Sequence, residues 1–253
     1  MQILVTGCTG RLGTALLQHL QESDYRVKIT SRRKPEYDGT FAWVYSDLLT
    51  GEGVDEAVQD VEIVIHAATS PNQYTKEIEI DGFRNLLKKL NKVKHFIYPS
   101  IVGIDYIPMK YFQYKLEAEQ LLENSSIPYT IVRATQFHDY VEAMFLSKTY
   151  FNRYFIPGKI PFQSCAVEDY ARHLIAFLDK DPQGRADDFA GPEIMTLKEM
   201  AELKIKVYRE NNKIVSFALP GNLYKTFREG RGTNPERKLG KITFEQYLRK
   251  KKE

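Results

Sequence analysis

The sequence predicts a doubly wound α/β fold, in which a parallel sheet carries helices on both faces. Three features of the first half of the chain predict it: short runs rich in β-branched and aromatic residues recur, helical patterns separate them, and a glycine-rich turn follows the first run. Strands that alternate with helices in this way are joined by right-handed crossovers and therefore pair in parallel.

Five runs are predicted to be strands, because several are apolar at consecutive positions, as strands covered on both faces are. They are QILVT (2–6), RVKITS (26–31), VEIVIHAA (61–68), KHFIYPS (94–100) and YTIVRA (129–134). Apolar residues at helical spacing predict helices between these runs. One apolar stripe contains Leu12, Leu16 and Leu20, and another contains Phe83, Leu86, Leu87 and Leu90.

After about residue 135 the pattern changes to a smaller, mixed α/β region. A helix is predicted near 138–150, FIPGKIPFQS (155–164) is interpreted as a loop or hairpin, and VEDYARHLIAFLDKD (167–181) returns to helical spacing. Thr196 and Thr243 each begin a Thr-x-x-Glu/Gln capping box and so predict helix starts. We therefore divide the chain into a core, residues 1–136, and a C-terminal region, residues 137–253, that partly completes it.

The composition excludes several classes of protein. With 43% hydrophobic and 27% charged residues, the chain of 253 residues has enough apolar side chains for a core. A net charge of only +3 argues against nucleic-acid binding, and two distant cysteines, Cys8 and Cys165, predict neither a disulfide framework nor a metal site. Because no apolar run reaches the roughly 18 residues of a membrane span and MQILVTG is unlike a signal peptide, we expect a cytoplasmic protein with no membrane partner.

The turn VTGCTGRLG places three glycines directly after the first strand and at the start of the first helix. Glycine permits unusual dihedral angles and lets backbone N–H groups approach a pyrophosphate, which then lies at the positive end of the helix. The turn is therefore a candidate dinucleotide site, and the alternative is a tight strand-to-helix turn without a ligand. Its candidate cofactor residues are Gly7, Cys8, Thr9, Gly10, Arg11, Leu12 and Gly13.

The end of the second strand carries Ser31, Arg32 and Arg33. Proteins that bind NAD usually have an acidic residue here, which accepts hydrogen bonds from the adenosine ribose. Guanidinium groups instead suit a 2′-phosphate through paired charge-assisted hydrogen bonds, so the sequence favours NADP (NADPH) without excluding NAD. The alternative interpretation is that the arginines lie on a solvated loop.

Two further strand ends are predicted to line the cofactor. A further strand, the third of the sheet, is expected between the runs 26–31 and 61–68, directly before YSDLLTG (45–51). Asp47 and Leu48 follow it and are candidates for the adenine edge, although Asp47 can equally cap the next turn. His66, at the end of the fourth strand, is interpreted as a packed strand residue, and the small side chains after it let a cofactor pass close to the backbone. These cofactor candidates are Ala67, Ala68 and Thr69.

The candidate catalytic residues are Ser100, Tyr111 and Lys115. Ligands of open parallel sheets bind beyond the carboxyl ends of the strands, so we expect Ser100, which ends the fifth strand, beside the nicotinamide. Tyr111 and Lys115 stand four residues apart on the following helix and share a face. An ammonium group lowers the pKa of a nearby phenol, so Tyr111 can donate a proton to a carbonyl oxygen that Ser100 steadies. The alternative is that Tyr111 is an aromatic packing residue at a helix start.

The glycine turn, HAA at the fourth strand, Ser100 and the Tyr111-x-x-x-Lys115 pair together resemble the short-chain dehydrogenase/reductase superfamily. More narrowly, YFQYKLEAEQLLENSSIPYTIVRATQFHD (111–139) and LPGNLYKTFREG (219–230) are similar to its NmrA-like, atypical branch. The resemblance runs through nearly the whole chain and implies a Rossmann core that binds NAD(P), residues 1–136, and a small substrate region, residues 137–253. It also implies that Lys115 can bind the nicotinamide ribose hydroxyls.

The substrate is expected next to the end of the sixth strand. Gln136, Phe137 and His138 follow this strand at the same edge of the sheet and are the candidate substrate residues. A histidine at this place can relay a proton or orient a polar substrate, and the alternative is that His138 caps the next helix.

Three functions follow from these residues and the resemblance. The first is an NADPH-dependent oxidoreductase that reduces a small carbonyl or quinone compound. The second is a regulatory protein that senses NADP without turning it over, since the branch is similar to proteins of both kinds. A nucleotide-sugar epimerase or dehydratase is the third, and it is disfavoured because the C-terminal region has no evident basic pocket for a sugar-nucleotide diphosphate.

Overall fold

The structure is a computed structural model that describes residues 1–35, 41–71 and 74–252. The chain forms two compact units, and neither is continuous in sequence. The first contains Met1–Ser100, Lys110–Val132 and Ala171–Asp187, and the second contains Ile101–Met109, Arg133–Tyr170 and Asp188–Glu253. The division at residue 136 between cofactor and substrate regions stays a prediction.

Strands and helices alternate through most of the first half of the chain, as predicted, and the exception among the described residues is the second strand, which is followed directly by the third. The strands are β1 Gln2–Thr6, β2 Arg26–Ser31, β3 Ala42–Tyr45, β4 Ile63–His66, β5 His95–Ile101, β6 Tyr129–Ala134, β7 Arg153–Ile156, β8 Pro161–Phe162, β9 Gly184–Arg185, β10 Met195–Thr196 and β11 Lys213–Ser216. The helices are α1 Arg11–Leu20, α2 Val54–Val58, α3 Phe83–Lys89, α4 Lys110–Glu123, α5 His138–Phe145, α6 Val167–Ile175, α7 Leu197–Tyr208, α8 Asn222–Arg228 and α9 Phe244–Lys252, and a π-helical segment, Glu77–Gly82, leads into α3.

Seven strands form the central sheet in the order β3-β2-β1-β4-β5-β6-β9, and the reversal of strand order beside β1 makes it doubly wound. Leu4, Val64 and Tyr98 belong to a core cluster with residues of α2, α3 and α4, so they point to one face. Ile3 and Ile65 alternate with them, point to the other face and are also buried. Because both faces are covered, the predicted doubly wound α/β fold is confirmed.

The π-helical segment lies between β4 and α3 and continues directly into α3. Its last residue, Gly82, approaches the backbone of Leu48 so closely that a Cβ atom would lie 2.5 Å from the Leu48 carbonyl oxygen. A π-helical turn is rare and occurs most often near functional sites. Within this segment the side chain of Glu79 is buried.

The second unit has its own core of buried apolar side chains, which includes Val141, Phe162, Leu197 and Leu248. The segment FIPGKIPFQS is a loop rather than a hairpin, because β7 pairs with β11 whereas β8 pairs with β10. The predicted capping boxes are confirmed. Thr196 and Glu199 bond each other's backbone N–H groups at the start of α7, and Thr243 and Gln246 do so at the start of α9.

Candidate cofactor and active site

The glycine turn between β1 and α1 has the close backbone approaches that its sequence predicts. Gly7 has a left-handed φ of 65°, and a Cβ atom there would lie 2.5 Å from the backbone of Ala68. A Cβ atom at Gly13 would lie 2.1 Å from the Gly7 carbonyl oxygen. Gly10 is the exposed N-cap of α1. Because glycine has no side chain, it does not cap the first N–H groups of the helix. These features fit a bound diphosphate.

Cys8 lies within this turn but is only 2% exposed. Burial raises the pKa of its thiol, so this small side chain is uncharged at neutral pH. Thr9 and Arg11 flank it on the outside and are exposed, whereas Leu12 is half-buried. The exposed surface of the turn is therefore formed by Thr9, Gly10 and Arg11.

The loop after β2 carries the two arginines expected to bind a 2′-phosphate. Ser31 donates its hydroxyl hydrogen to the carbonyl oxygen of Arg33 at 2.5 Å and accepts a hydrogen bond from the indole N–H of Trp43 at 3.1 Å. Arg32 and Arg33 are both exposed. Ser31 therefore holds the backbone of the arginine loop, and the chain's single tryptophan lies directly beside it.

The third strand end is only partly as expected. The carboxylate of Asp47 accepts a hydrogen bond from the backbone N–H of Leu49 at 2.9 Å, which is the turn-capping alternative. Leu48 packs against the core cluster beside α3 and is half-buried. A contact of either residue with adenine stays a prediction.

The fourth strand ends in a buried histidine and an alanine that closes on the glycine turn. The Thr6 hydroxyl accepts a hydrogen bond from the Ala68 backbone N–H at 3.2 Å and lies 2.9 Å from Nδ1 of His66. His66 is 3% exposed and its ring contacts those of Phe83 and Tyr98. The prediction that His66 is a packed strand residue is confirmed. Ala67 and Ala68 are half-buried beside it.

Lys115 is a buried cation that contacts β5 and the π-helical segment. The residue is 4% exposed, and its Nζ donates a hydrogen bond to the carbonyl oxygen of Pro99 at 3.0 Å. The same atom lies 3.7 Å from Oε2 of Glu79 and 3.9 Å from the centroid of the Tyr98 ring. Desolvation lowers the pKa of Lys115, and the carboxylates of Glu79 and Glu119 act in the opposite direction.

Tyr111 is connected to the same carboxylate through a threonine. Its hydroxyl oxygen lies 2.8 Å from Oγ1 of Thr69, and the Thr69 hydroxyl donates a short hydrogen bond to Oε1 of Glu79. Thr69, Glu79, Tyr111 and Lys115 therefore form one polar cluster within the first unit. The structure thus brings together two of the predicted catalytic residues and one of the predicted cofactor residues.

Ser100 contributes a buried hydroxyl at the carboxyl end of β5. The residue is 5% exposed, and its Oγ has no hydrogen-bond partner among the described residues. A buried hydroxyl without a partner is unfavourable by about 1–3 kcal/mol, and a polar ligand atom can satisfy it. Ser100 therefore has a hydrogen-bonding capacity that none of the described residues uses.

The substrate candidates belong to the second unit and have well-defined partners there. His138 is 1% exposed; its Nε2 donates to the Ile242 carbonyl oxygen at 2.9 Å, and its Nδ1 lies 2.8 Å from the Ser164 hydroxyl. Burial lowers the pKa of His138, so the ring is neutral. The interpretation that His138 caps the next helix is wrong, because it is the first residue of α5 and Phe137 is the N-cap. A substrate contact of Gln136, Phe137 or His138 stays a prediction.

Glu79 is the residue of this site that the sequence interpretation missed. It stands four residues before Phe83 and seven before Leu86, which places an acidic residue on the apolar stripe of that helix. An acidic residue in the register of a buried stripe is the signal that was available. Its partners were not, because Lys115 lies 36 residues further along the chain.

The described residues contain neither a cluster of metal-ligating side chains nor a long apolar helix. No group of three or more histidine, cysteine, aspartate or glutamate side chains has the geometry of a metal site within that part of the chain. None of the described helices is long and apolar enough to cross a membrane.

Comparison with known proteins agrees with the cofactor turn and the fold. A family model described as NAD(P)H-binding matches residues 7–152. In sequence, the chain is 27% identical over 148 residues to the photosystem II assembly factor Ycf39 of Trieres chinensis, a match that covers 54% of this chain and 46% of that protein. The chain thus spans about half the length of the curated relatives it matches.

Two solved structures share the fold over nearly all of both chains. A nucleoside-diphosphate-sugar epimerase from Staphylococcus aureus is 20% identical, with a TM-score of 0.82 over 98% of this chain and 100% of that one. An NADPH-dependent quinone oxidoreductase from Escherichia coli, solved with NADPH, is 17% identical, with a TM-score of 0.82 over 99% and 100%. At these identities the likeness shows the fold alone.

Proposed function

Since the chain belongs to the NAD(P)H-binding family, we propose that it is an NADPH-dependent reductase of a small carbonyl or quinone compound. The observation that carries the proposal is the buried Ser100 hydroxyl, which has no partner among the described residues and lies at the carboxyl end of β5. In open parallel sheets this end of the strands binds the ligand. The helix that follows, α4, supplies Tyr111 and Lys115.

Each of the three side chains has a role in this reaction. NADPH, when bound in the glycine turn, supplies the hydride. Ser100 donates a hydrogen bond to the substrate oxygen, and Tyr111 donates the proton that this oxygen takes up. Lys115, whose ammonium group contacts Pro99, Glu79 and the Tyr98 ring, is the candidate donor to a ribose hydroxyl.

The preference for NADPH rests on the arginine loop. Arg32 and Arg33 are exposed at the end of β2, where a dinucleotide presents its adenosine ribose. Two guanidinium groups supply paired donors to a 2′-phosphate, and the described strand end offers no carboxylate to the 2′-hydroxyl of NAD. The name of the Escherichia coli quinone oxidoreductase, whose fold is similar over its whole length, is consistent with this cofactor and substrate class.

The experiment that tests the proposal offers the purified protein a panel of quinones and aldehydes with NADPH or NADH and follows oxidation of the nicotinamide. We expect NADPH to be consumed with at least one quinone or aldehyde and NADH to be consumed more slowly. Tight NADPH binding without turnover of any compound would contradict the reductase and favour an NADP-sensing protein.

A further inference from the structure

A buried carboxylate lies at the centre of the polar cluster in the first unit. Glu79 is 2% exposed, yet both of its oxygens have partners: Oε1 accepts hydrogen bonds from the Thr69 hydroxyl and the Ser70 backbone N–H, and Oε2 faces Nζ of Lys115. An ionised carboxylate is buried only when hydrogen bonds and a counter-ion compensate its desolvation. The π-helical segment that holds Glu79 is a rare conformation, and such turns occur most often near functional sites.

Glu79 sets the direction of the hydrogen bonds that reach Tyr111. An ionised carboxylate only accepts, so Thr69 must donate its single hydroxyl hydrogen to Glu79. The oxygen of Thr69 is then an acceptor for Tyr111, whose hydroxyl lies 2.8 Å away. Tyr111 is therefore fixed in place as the donor to Thr69 and keeps its phenolic hydrogen, which it has to turn from Thr69 to the substrate oxygen when it acts as the proton donor.

Glu79 also supports Lys115 from the opposite side of the cluster. The Nζ atom of Lys115 lies 3.7 Å from Oε2 of Glu79, 3.0 Å from the Pro99 carbonyl oxygen and above the Tyr98 ring. Because the cation is buried, loss of the carboxylate leaves its charge largely uncompensated. The carboxylate of Glu79 thus contacts Lys115 directly and reaches Tyr111 through Thr69.

We propose that Glu79 is a positioning residue of the reductase, one that orients Tyr111 through Thr69 and holds the Lys115 ammonium charged and in place. The inference rests on the proposed function for its catalytic part. The part of the inference that concerns cofactor binding depends on Lys115 alone, and it is tested by NADPH affinity, which requires no turnover.

The charged and titratable groups around this cluster come from four elements. They are His66 on β4, Glu79 on the π-helical segment, Tyr98 on β5, and Tyr111, Lys115 and Glu119 on α4. His66 is neutral at working pH, so the cation faces two carboxylates, of which Glu79 makes the direct contact with Thr69. Removal of Glu79 therefore acts on Lys115 and Tyr111 together, whereas removal of Glu119 acts on Lys115 through space.

The test compares Glu79→Gln with two controls. Glu77→Gln removes an exposed charge from the same π-helical segment, and Glu119→Gln removes a fully buried carboxylate from α4. NADPH affinity is measured for each variant by the fluorescence of Trp43, which lies beside the arginine loop. We expect Glu79→Gln to raise the NADPH dissociation constant by about tenfold, the effect of one lost charge-assisted contact. Glu77→Gln should stay within about twofold of wild type, and Glu119→Gln, which acts on Lys115 only through space, should have a smaller effect than Glu79→Gln.

Turnover supplies the readout that a merely structural role would not change. Loss of the carboxylate lowers the pH at which Lys115 gives up its proton, so in Glu79→Gln we expect the alkaline limb of the pH–kcat profile to move down by about one unit or more. Thr69→Val should lower kcat by about tenfold or more, because it removes the hydroxyl that lies between Glu79 and Tyr111. Thr69→Ser and Glu79→Asp restore the missing groups and should recover activity.

Each result decides the inference. An unchanged dissociation constant and pH profile in Glu79→Gln would overturn it, and so would an equal effect of Glu119→Gln, because the direct contacts of Glu79 would then add nothing to the charge of a nearby carboxylate. If the wild-type protein binds NADPH but turns over no compound, the proposed function has failed, and the dissociation constants of Glu79→Gln and its controls alone decide whether Glu79 positions Lys115.

Discussion

At the scale of single residues, we predict that the charges of Arg32 and Arg33, both exposed, decide the choice of cofactor. Replacement of Arg32 and Arg33 by glutamate removes the donors for a 2′-phosphate and adds acceptors for a ribose hydroxyl. We expect the ratio of NADPH to NADH affinity to reverse, by about tenfold or more for each lost charge-assisted pair, in titrations that follow Trp43 fluorescence. The matched control is Arg26→Glu, an exposed arginine at the opposite end of β2, and an unchanged ratio in the loop variant would refute the NADP assignment.

Tyr111 is the second residue-scale prediction. Phenylalanine keeps the ring of Tyr111 at the start of α4 but removes the hydroxyl that contacts Thr69. If this hydroxyl donates the proton, Tyr111→Phe should lower kcat by roughly 10² to 10⁴, the usual contribution of a positioned acid. Tyr114→Phe, on the same helix, is the control for loss of a phenol. Equal rates in wild type and Tyr111→Phe would mean that Tyr111 is a packing residue.

His66 gives a prediction about acid stability. Burial lowers its pKa from 6.5 to about 3, because the charged ring cannot be solvated among Phe83 and Tyr98. The unfolded chain therefore binds a proton that the folded chain does not between these two values, and stability falls as the pH is lowered through that window. At pH 5 this costs about 2 kcal/mol of the free energy of unfolding, at about 1.4 kcal/mol per pH unit below the unfolded value.

The measurement is urea denaturation of His66→Asn between pH 7 and pH 4. Asparagine can accept the hydrogen bond of Thr6 but does not titrate, so the free energy of unfolding should depend less steeply on pH than in wild type. His19→Gln, on the partly exposed side of α1, should keep the wild-type dependence. A steep wild-type dependence in His66→Asn would show that the acid sensitivity comes from other groups.

At the scale of elements, the glycine turn is defined by close contacts between β1, α1 and the end of β4. Gly7 and Gly51 both have left-handed φ angles, so alanine costs roughly 1–2 kcal/mol of backbone energy at either position. They differ in their surroundings: a Cβ atom at Gly7 would lie 2.5 Å from the backbone of Ala68, whereas one at Gly51 would have no neighbour within 4 Å.

Alanine substitutions at these two glycines separate the two effects. Gly7→Ala should lower the free energy of unfolding by about 2 kcal/mol more than Gly51→Ala, because backbone atoms have to move apart, and it should also weaken NADPH binding. Gly51→Ala should leave NADPH affinity at the wild-type value. Equal losses of stability in the two variants would mean that the close approach at Gly7 is absent in solution.

At the scale of the whole molecule, the chain has two hydrophobic cores, one in each unit. The last helix, α9, belongs to the second core through Phe244 and Leu248, which are 1% and 0% exposed. Leu248→Ala should therefore lower the free energy of unfolding by about 2–5 kcal/mol, measured by urea denaturation. Lys250→Ala, an exposed residue of the same helix, should change it by less than about 1 kcal/mol. A small effect of Leu248→Ala would mean that α9 is not packed on the second core.

The sequence by itself determined several strands and helices and the glycine turn between β1 and α1. β1, β2 and β6 begin and end where their apolar runs do, and both Thr-x-x-Glu/Gln boxes start helices, because alternation, helical periodicity and capping are local properties that a short segment contains in full. The glycine turn was predictable for the same reason, since the strand, the glycines and the helix are consecutive in sequence.

Only the tertiary structure decided which side chains meet. Periodicity places Glu79 on a buried stripe and Lys115 on one face of α4, but it does not say that the two contact each other. β4 pairs with β5 in the sheet, so the segments that follow these strands converge, and Thr69 comes to bond Tyr111 across 42 positions of sequence. In the same way, β7 and β8 lie in one short segment, yet each pairs with a distant strand. Such contacts depend on strand order and packing, which are properties of the folded chain as a whole.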